Sequence, residues 1–261
     1  MLLEKKTSGG NAPEKLGAKL SFASTEAYNL LRANLTFSLP ETGTGHVIGI
    51  SSAIPQDGKT YTAINLAYSL ANSGKSVLLV DGDMRRPSVA NRLGKRNSPG
   101  LTNFLVGNEK NVMHSKVMSA NLSVITAGDV PPNPSELMGS EKMEATLKML
   151  ASQFDFVLVD LPPVNSVADP ILISKYLEGM ILVTRHRHTG KMDVQEAVRA
   201  LQFAGVHILG FVYNGMQRPG GGYHRYKYSK YSKYYKYRGG YYNGYYGQPE
   251  KPHSEEESGQ K

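Results

Sequence analysis

The sequence carries a glycine, a lysine and a threonine in a row, at Gly58, Lys59 and Thr60. With Ala53 they form the pattern A-x-x-x-x-G-K-T, a Walker A loop with alanine in place of the first glycine. Such a loop wraps phosphates in backbone N–H groups, places its lysine on the β- and γ-phosphates and offers a hydroxyl to Mg²⁺. Gly58 would let the backbone approach closely, while Lys59 would supply the charge and Thr60 the magnesium ligand. The pattern therefore predicts a phosphate site, with an ordinary strand–turn–helix junction as the alternative.

Aspartates follow two further apolar runs of the chain. Asp81 and Asp83 stand two residues apart after the run 76–80, and Asp160 follows the run 156–159. The first two carboxylates can both face a metal ion if the chain stays extended there, and otherwise they form a solvated acidic turn. Asp160 ends a run with the form of a Walker B strand, so it is placed to hold magnesium directly or through water. The three elements, in this order, predict a magnesium-dependent nucleotide site.

Tyrosine is concentrated near the end of the chain. Eleven tyrosines lie close together, at Tyr223, Tyr226, Tyr228, Tyr231, Tyr234, Tyr235, Tyr237, Tyr241, Tyr242, Tyr245 and Tyr246. Residues 217–246 also carry seven lysines and arginines and no acid, and we expect this segment to be disordered. About 30 such residues span roughly 30 Å, enough to enter an active site on the same or a neighbouring subunit. The alternatives are single-stranded nucleic acid binding, through stacking and charge, or a sticky structural segment.

The elements that must position these residues alternate between short apolar runs and helical patterns. Strands are predicted at 46–51, 76–80, 121–126, 154–159, 179–184 and 207–213. Helices are predicted at 61–72, 135–153 and 190–204, and a first helix from Ser24 or Thr25 with Leu30, Leu31, Leu35 and Leu39 on its apolar side.

This alternation predicts a doubly wound, mostly parallel α/β sheet of the P-loop type. The near-continuous apolarity of each strand indicates that both faces of the sheet are covered. Ligands of such sheets bind beyond the carboxyl ends of the strands, where the motifs lie. We expect a flexible segment at 1–20, a P-loop domain at 21–216 and the tyrosine-rich tail at 217–261.

Composition narrows the classes of protein further. The chain has no cysteine, which excludes disulfides and thiolate metal sites. No apolar run approaches the ~18 residues of a membrane helix, and the start lacks the apolar stretch of a signal peptide, so we expect a soluble, cytoplasmic chain. The net charge of +8 would suit nucleic acid or an anionic membrane. Because most of that excess lies in the tail, nucleic acid is not the expected partner.

The motifs together resemble those of the bacterial tyrosine kinases of capsule and exopolysaccharide biosynthesis, in the Gram-positive form in which the kinase is a separate cytoplasmic chain. The likeness covers about residues 20–246. It is carried by 52–60, VDGDMRRP (80–87), PPNPSELM (131–138), FDFVLVDLPPV (154–164) with Asp169, and the tyrosine cluster. Partition and septum-site ATPases, a related class, usually carry K-G-G-x-G-K-T. Their signature lysine would fall at Ile54, which favours the kinases.

The resemblance implies a role for each matching position. Nucleotide contacts would come from Ala53, Pro55, Gln56, Asp57, Gly58, Lys59, Thr60, Tyr61 and Asn214, of which Asn214 would read adenine or simply end a strand. Catalysis would rest on Lys59, Asp81, Asp83 and Asp160, with Thr60, Asp81 and Asp160 at the metal. One of Asp81 and Asp83 would take the proton of the incoming tyrosine. The cofactors would be ATP and Mg²⁺.

The resemblance also implies partners and two departures from the family pattern. Gln56-Asp57 replaces the usual Gly-Glu, and the oligomerisation pattern E-x-x-R-x-x-R keeps Glu26 and Arg32 around Asn29. We expect an unphosphorylated homo-oligomeric ring, a transmembrane adaptor that recruits the chain to the inner face of the membrane, and a tyrosine phosphatase. The implied activity is autophosphorylation of the tail, which regulates polysaccharide polymerisation and export. The alternatives are a partition-type ATPase switch and a nucleotide-dependent scaffold whose tail binds polyanions.

Overall fold

The computed structural model describes residues 16–41 and 43–216. The predicted tail with its eleven tyrosines, and most of the predicted flexible segment at 1–20, lie outside these residues. Seven strands are β1 (His46–Ser52), β2 (Val77–Asp81), β3 (Met113–His114), β4 (Leu122–Ile125), β5 (Phe156–Asp160), β6 (Gly179–Arg185) and β7 (Ile208–Asn214). The α-helices are α1 (Phe22–Ser38), α2 (Lys59–Asn72), α3 (Val89–Leu93), α4 (Leu101–Val106), α5 (Pro134–Met138), α6 (Glu141–Ala151), α7 (Asp169–Ser174) and α8 (Lys191–Phe203).

The strands form one sheet in the order β3-β4-β2-β5-β1-β6-β7. Only β3, a two-residue edge strand, runs antiparallel to its neighbour, so the predicted mostly parallel sheet is confirmed. β5 lies between β1 and β2, and the register sets Asp160 beside both Asp81 and Ile50. The order of the strands therefore brings the ends of β1, β2 and β5, and the motifs that follow them, to one edge of the sheet.

Both faces of the sheet are covered, as the continuous apolar runs predict. In β2, Leu78 and Val80 pack into one buried cluster, and Val77 and Leu79 pack into the other. This alternation follows from the two-residue period of a strand. Among the described residues, no helix has the length and apolarity that a bilayer crossing requires.

The first helix begins earlier than predicted. It starts at Phe22 because Ser21 caps it, accepting a hydrogen bond from the Ser24 N–H at 3.2 Å. The expected start at Ser24 or Thr25 is wrong by two to three residues. Leu35 is buried as predicted, but Leu30 is 55% exposed and does not belong to the packed side.

The helix predicted at 135–153 is two helices. α5 ends at Met138, Gly139 follows it, and Ser140 caps α6 by accepting a hydrogen bond from the Met143 N–H at 3.1 Å. A serine cap within an otherwise apolar periodicity ends one helix and starts the next. The break places α5, which carries the last five residues of the PPNPSELM motif, against α7.

Candidate nucleotide and phosphotransfer site

The Walker A loop joins β1 to α2 through residues 53–58. Gly58, at φ 94°, lies in the left-handed region, and a Cβ there would be 2.0 Å from Asn214 Nδ2. Only glycine fits this position without displacing Asn214. Gln56 also lies in the left-handed region, at φ 67°. This is where the family pattern has glycine, so the departure at Gln56 carries backbone strain.

Side chains at the carboxyl ends of β6 and β7 hold the outer side of the loop. Arg185 Nη1 donates to Gln56 O at 3.2 Å, and Asn214 Nδ2 donates to Asp57 O at 3.0 Å. A loop that must offer its N–H groups to phosphate needs its carbonyl oxygens satisfied from elsewhere, and these donors do so. Asn214 is therefore committed to the loop here, and its reading of adenine stays a prediction.

Asp57 has no exposed surface and belongs to the same support. Its Oδ1 accepts a hydrogen bond from Thr189 Oγ1 at 2.6 Å, and His188 Nε2 lies 3.0 Å from Pro55 O. Burial raises the pKa of Asp57, against the hydrogen bond from Thr189. The segment around 185–189 was not predicted to take part in the site, because it lies more than 120 residues from the loop in sequence.

Lys59 is the cation at the centre of the site. Its side chain is 13% exposed, and Nζ lies 3.0 Å from Asp83 Oδ2 and 3.6 Å from Asp160 Oδ1. Burial lowers the pKa of Lys59, but the Asp160 and Asp83 carboxylates more than reverse this and raise it overall. Lys59 therefore stays charged and is placed to meet phosphate oxygens.

Thr60 and Asp160 form the candidate magnesium position. Thr60 Oγ1 donates to Asp160 Oδ2 at 2.6 Å and accepts from Ser88 Oγ at 2.9 Å. Asp160 Oδ1 is buried and accepts no hydrogen bond within the described part of the chain. Residues 16–41 and 43–216 contain no cluster of three acidic or His side chains that could hold a metal alone. Mg²⁺ fits, because it commonly takes one or two protein oxygens and completes its shell with water and phosphate.

Asp81 and Asp83 have different surroundings. Asp81 is fully buried, and its oxygens accept N–H groups of Asp83, Ser88 and Val89 at 3.0–3.2 Å. Burial, and then the Asp160 carboxylate, raise the pKa of Asp81 to about 7. Asp83 is 5% exposed and contacts Lys59. Asp81 thus shapes the turn after β2, while Asp83 reaches the lysine.

A cavity of about 650 Å³ opens at these residues. Its lining comes from Pro55, Gln56, Gly58, Lys59, Thr60, Asp83, Arg85, Arg86, Ser88, Arg92, Pro162, Pro163, Ser166 and Val167. The volume suits a nucleotide-sized ligand. Arg85 and Arg86 belong to the motif VDGDMRRP, whereas Ser88 and Arg92 lie in no motif and were not predicted to line the site.

The predicted nucleotide contacts Ala53 and Tyr61, and the predicted oligomerisation residues Glu26 and Arg32, do not line this cavity. Ala53 is buried in the core, and Tyr61 faces Tyr28, with ring centres 6.5 Å apart. Arg32 Nη1 donates to Ser69 O at 3.0 Å, and Glu26 accepts from Asn29, so both predicted oligomerisation residues have partners within the chain. Their role between subunits stays a prediction.

Comparisons with known proteins agree on one family. The family model "ParA: NUBPL iron-transfer P-loop NTPase" matches residues 43–228. The tyrosine-protein kinase YwqD of Bacillus subtilis is 36% identical, over 73% of this chain and 81% of its own length. The putative tyrosine-protein kinase EpsB of Ralstonia solanacearum is 37% identical, but the chain spans only 28% of its length.

A solved structure gives the same answer. The kinase domain of the Escherichia coli tyrosine kinase ETK superposes with a TM-score of 0.71 at 33% identity, covering 76% of this chain and 78% of that domain. The Walker A lysine and the strand-end aspartates agree with these relatives. The chain therefore belongs to the bacterial tyrosine kinases, a family built on the ParA-type P-loop fold.

Proposed function

We propose that the chain is an ATP-dependent protein-tyrosine kinase that autophosphorylates the tyrosine cluster of its own C-terminal segment. The observation that carries the proposal is the meeting of Lys59, Thr60, Asp83 and Asp160 beside one cavity, where contacts of 2.6 to 3.6 Å join them. Phosphoryl transfer needs mainly positioning and charge stabilisation, and this set supplies both. The same chain carries eleven candidate acceptors at its other end.

Each residue has a separable task in this proposal. Bound ATP and Mg²⁺ supply the phosphoryl group and part of the compensating positive charge. Thr60 Oγ1 and Asp160 would hold the metal, and Lys59 would bind the β- and γ-phosphate oxygens. Binding phosphate would draw Lys59 from Asp83, and so would release that carboxylate toward the acceptor.

Asp83 is the better candidate for the base. A tyrosine hydroxyl has a pKa near 10, so a carboxylate beside it helps its proton to leave. Asp83 lines the cavity, whereas Asp81 is fully buried, does not line it, and accepts three backbone N–H groups. We therefore assign proton removal to Asp83 and the positioning of the turn to Asp81.

The proposed setting is polysaccharide polymerisation and export. A transmembrane adaptor would recruit the chain to the inner face of the membrane, an unphosphorylated ring would be the assembled form, and a phosphatase would reset it. Each phosphotyrosine adds about −1.5 to −2 charges, so four or five would neutralise the seven positive charges of 217–246. Light scattering over a concentration series tests this switch, with and without adaptor. Equal masses of the phosphorylated and unphosphorylated forms at every concentration would refute it.

Mass spectrometry after incubation with Mg·ATP tests the kinase itself. We expect phosphate on tyrosines between 223 and 246, and more of it with the adaptor's cytoplasmic end present. ATP hydrolysis without phosphotyrosine would instead support a partition-type ATPase switch. Salt-sensitive oligonucleotide binding without transfer would support a scaffold.

A further inference from the structure

Three segments that are far apart in sequence meet at one buried carboxylate. Asp169, at the start of α7, has no exposed surface. Its Oδ2 accepts from Arg85 Nε at 2.9 Å, while Oδ1 accepts from Arg85 Nη2 at 3.2 Å and from Ser135 Oγ at 2.6 Å. Arg85 Nη2 also donates to Ser135 Oγ at 2.8 Å. The three side chains form a closed network, which we call the Arg85 anchor.

Arg85 lies in the segment that carries Asp83. Residues 82–88, between β2 and α3, contain neither helix nor strand, so no ladder of backbone bonds fixes Asp83. Arg85 is two residues from Asp83, and the N–H of Arg86 donates to Asp83 Oδ1 at 3.0 Å. The buried Asp81 holds the other side of the same segment. Besides its own contacts with Lys59, Arg86 and Asp81, the position of Asp83 therefore depends on what holds Arg85.

We propose that the Arg85 anchor sets the position of Asp83 for phosphoryl transfer, and that Ser135 and Asp169 are positioning residues. The inference rests on the proposed kinase function. A bidentate pair between guanidinium and carboxylate fixes orientation as well as distance. The reaction is sensitive to that orientation, because a base misplaced by about 1 Å can lower the rate about 100-fold. The anchor also gives the PPNPSELM motif, through Ser135 in α5, a connection to the site.

Ser135 and Asp169 do not line the cavity, so they offer variants that spare nucleotide contacts. Ser135→Ala removes the hydroxyl with little change of volume, and Ser135→Thr keeps a hydroxyl. We expect Ser135→Ala to lower kcat at saturating Mg·ATP about tenfold, with KM for ATP within twofold of wild type. Asp169→Asn should lower kcat at least as much, and Ser135→Thr should recover most of it.

Glu178→Gln is the matched control. It alters the contact between His46 Nδ1 and Glu178 Oε2, which are 2.6 Å apart. This contact lies at the amino end of β1, away from the site. Wild-type kcat in this control, with loss in Ser135→Ala, would support the anchor. Wild-type kcat in folded Ser135→Ala and Asp169→Asn would overturn it, as would a loss confined to KM or a loss of equal size in Glu178→Gln.

Failure of the kinase proposal can be told apart from failure of the anchor. If the wild-type chain hydrolyses Mg·ATP without forming phosphotyrosine, the kinase proposal fails and the same variants are compared by hydrolysis rate. If it does neither, a double-mutant cycle of Asp83→Asn and Ser135→Ala in urea decides, because it needs no activity. Non-additive shifts of the urea midpoint would support coupling of the two residues. Additive shifts would overturn it.

Discussion

The two ends of strand β5 carry aspartates under opposite electrostatic conditions. Asp155, just before the strand, is exposed and accepts hydrogen bonds from Ser76 N–H at 2.7 Å and Ser76 Oγ at 2.9 Å. The bond from the Ser76 N–H lowers the pKa of Asp155. Asp160, which ends the strand, is fully buried, and burial raises its pKa against the opposing effects of Lys59 and Thr60.

The difference favours the carboxyl end of the sheet as the end that binds a ligand. At the amino end, Asp155 accepts hydrogen bonds from Ser76, and Glu178 contacts His46. At the carboxyl end, by contrast, Asp81, Asp83 and Asp160 crowd around Lys59. Burying like charges together destabilises the free chain, and a bound cation would offset that cost. The raised pKa values of Asp81 and Asp160, two buried carboxylates beside the cavity, are therefore a sign of chemistry as well as of folding.

Asp83→Asn should have the largest effect among the carboxylate changes. Loss of a general base lowers phosphotransfer by about 10²–10⁴-fold. Affinity for Mg·ADP should stay within about threefold, because Asp83 is not assigned to the metal or phosphates. Single-turnover formation of phosphotyrosine measures the first quantity and calorimetry the second. A wild-type transfer rate in this variant would remove Asp83 from its role.

Asp160→Asn and Asp155→Asn compare the two ends of β5 directly. We expect Asp160→Asn to weaken magnesium-dependent nucleotide binding about 10–100-fold, the range seen when support of a metal site is lost. Asp155→Asn should leave it unchanged. EDTA should remove the difference between Asp160→Asn and wild type. Equal affinities of the two variants in the presence of Mg²⁺ would contradict the comparison.

The pH dependence of stability should have opposite signs for Asp81 and Asp155. The folded pKa of Asp81 is about 7, above its ordinary value of 3.8, so the folded chain binds more protons between these pH values. The free energy of unfolding should therefore fall as pH rises through this window. Above pH 7 the cost of burying the ionised Asp81 carboxylate is fully present. Asparagine at this position cannot titrate, so in magnesium-free buffer Asp81→Asn should gain stability relative to wild type from pH 4 to 7, by a few kcal/mol, on the order of 1.4 per pKa unit.

Asp155 has a lowered pKa, so its contribution is present above the unfolded pKa and is lost as pH falls through the folded value. Asp155→Asn should therefore lose stability relative to wild type as pH rises through the acid range. Urea unfolding across pH measures both variants. The same sign of slope for both would show that the two ends of the sheet do not differ as described.

Gln56→Gly should have the smallest effect. A residue with a Cβ in the left-handed backbone conformation costs about 1–2 kcal/mol. Glycine removes this cost but loses about 0.5–1 kcal/mol more conformational entropy on folding, so we expect the free energy of unfolding to rise by about 0.5 kcal/mol. Lys116→Gly, at φ 55° in the β3–β4 connection, is the matched control away from the site. Thermal unfolding should show similar small gains. Loss of stability in Gln56→Gly alone would mean that the Gln56 side chain, and not its backbone, matters to the loop.

The sequence predicts those parts of the site for which a local motif lies at the carboxyl end of a predicted strand. Lys59 and Thr60 follow an apolar strand, and Asp160 ends one, so a parallel sheet must bring them to one edge. Helix ends were predicted less well, because Ser21 and Ser24 are both good caps and only packing chooses between them.

Long-range contacts account for most of what the sequence could not predict. Asp81 and Asp83 have the same spacing whether they face a metal or a backbone turn. Only the structure shows that Asp81 accepts the N–H groups of Ser88 and Val89, and its place at the metal stays a prediction. The support from Arg185 and the bond from Arg85 to Asp169 span 129 and 84 residues. Such pairs leave no periodicity in the sequence.

Intact-mass spectrometry of phosphatase-treated chains tests the central claim, that the Lys59 site transfers phosphate to the chain's own tyrosines. Wild type, Lys59→Met and Lys75→Met would be incubated with Mg·ATP, with Lys75 as the exposed lysine at the opposite end of the sheet. We predict several added phosphates in wild type and Lys75→Met and none in Lys59→Met, and fragmentation of the modified chains should place them all on tyrosines between 223 and 246. Wild-type phosphotyrosine in Lys59→Met, or a wild-type chain that consumes ATP without gaining mass, would contradict the account.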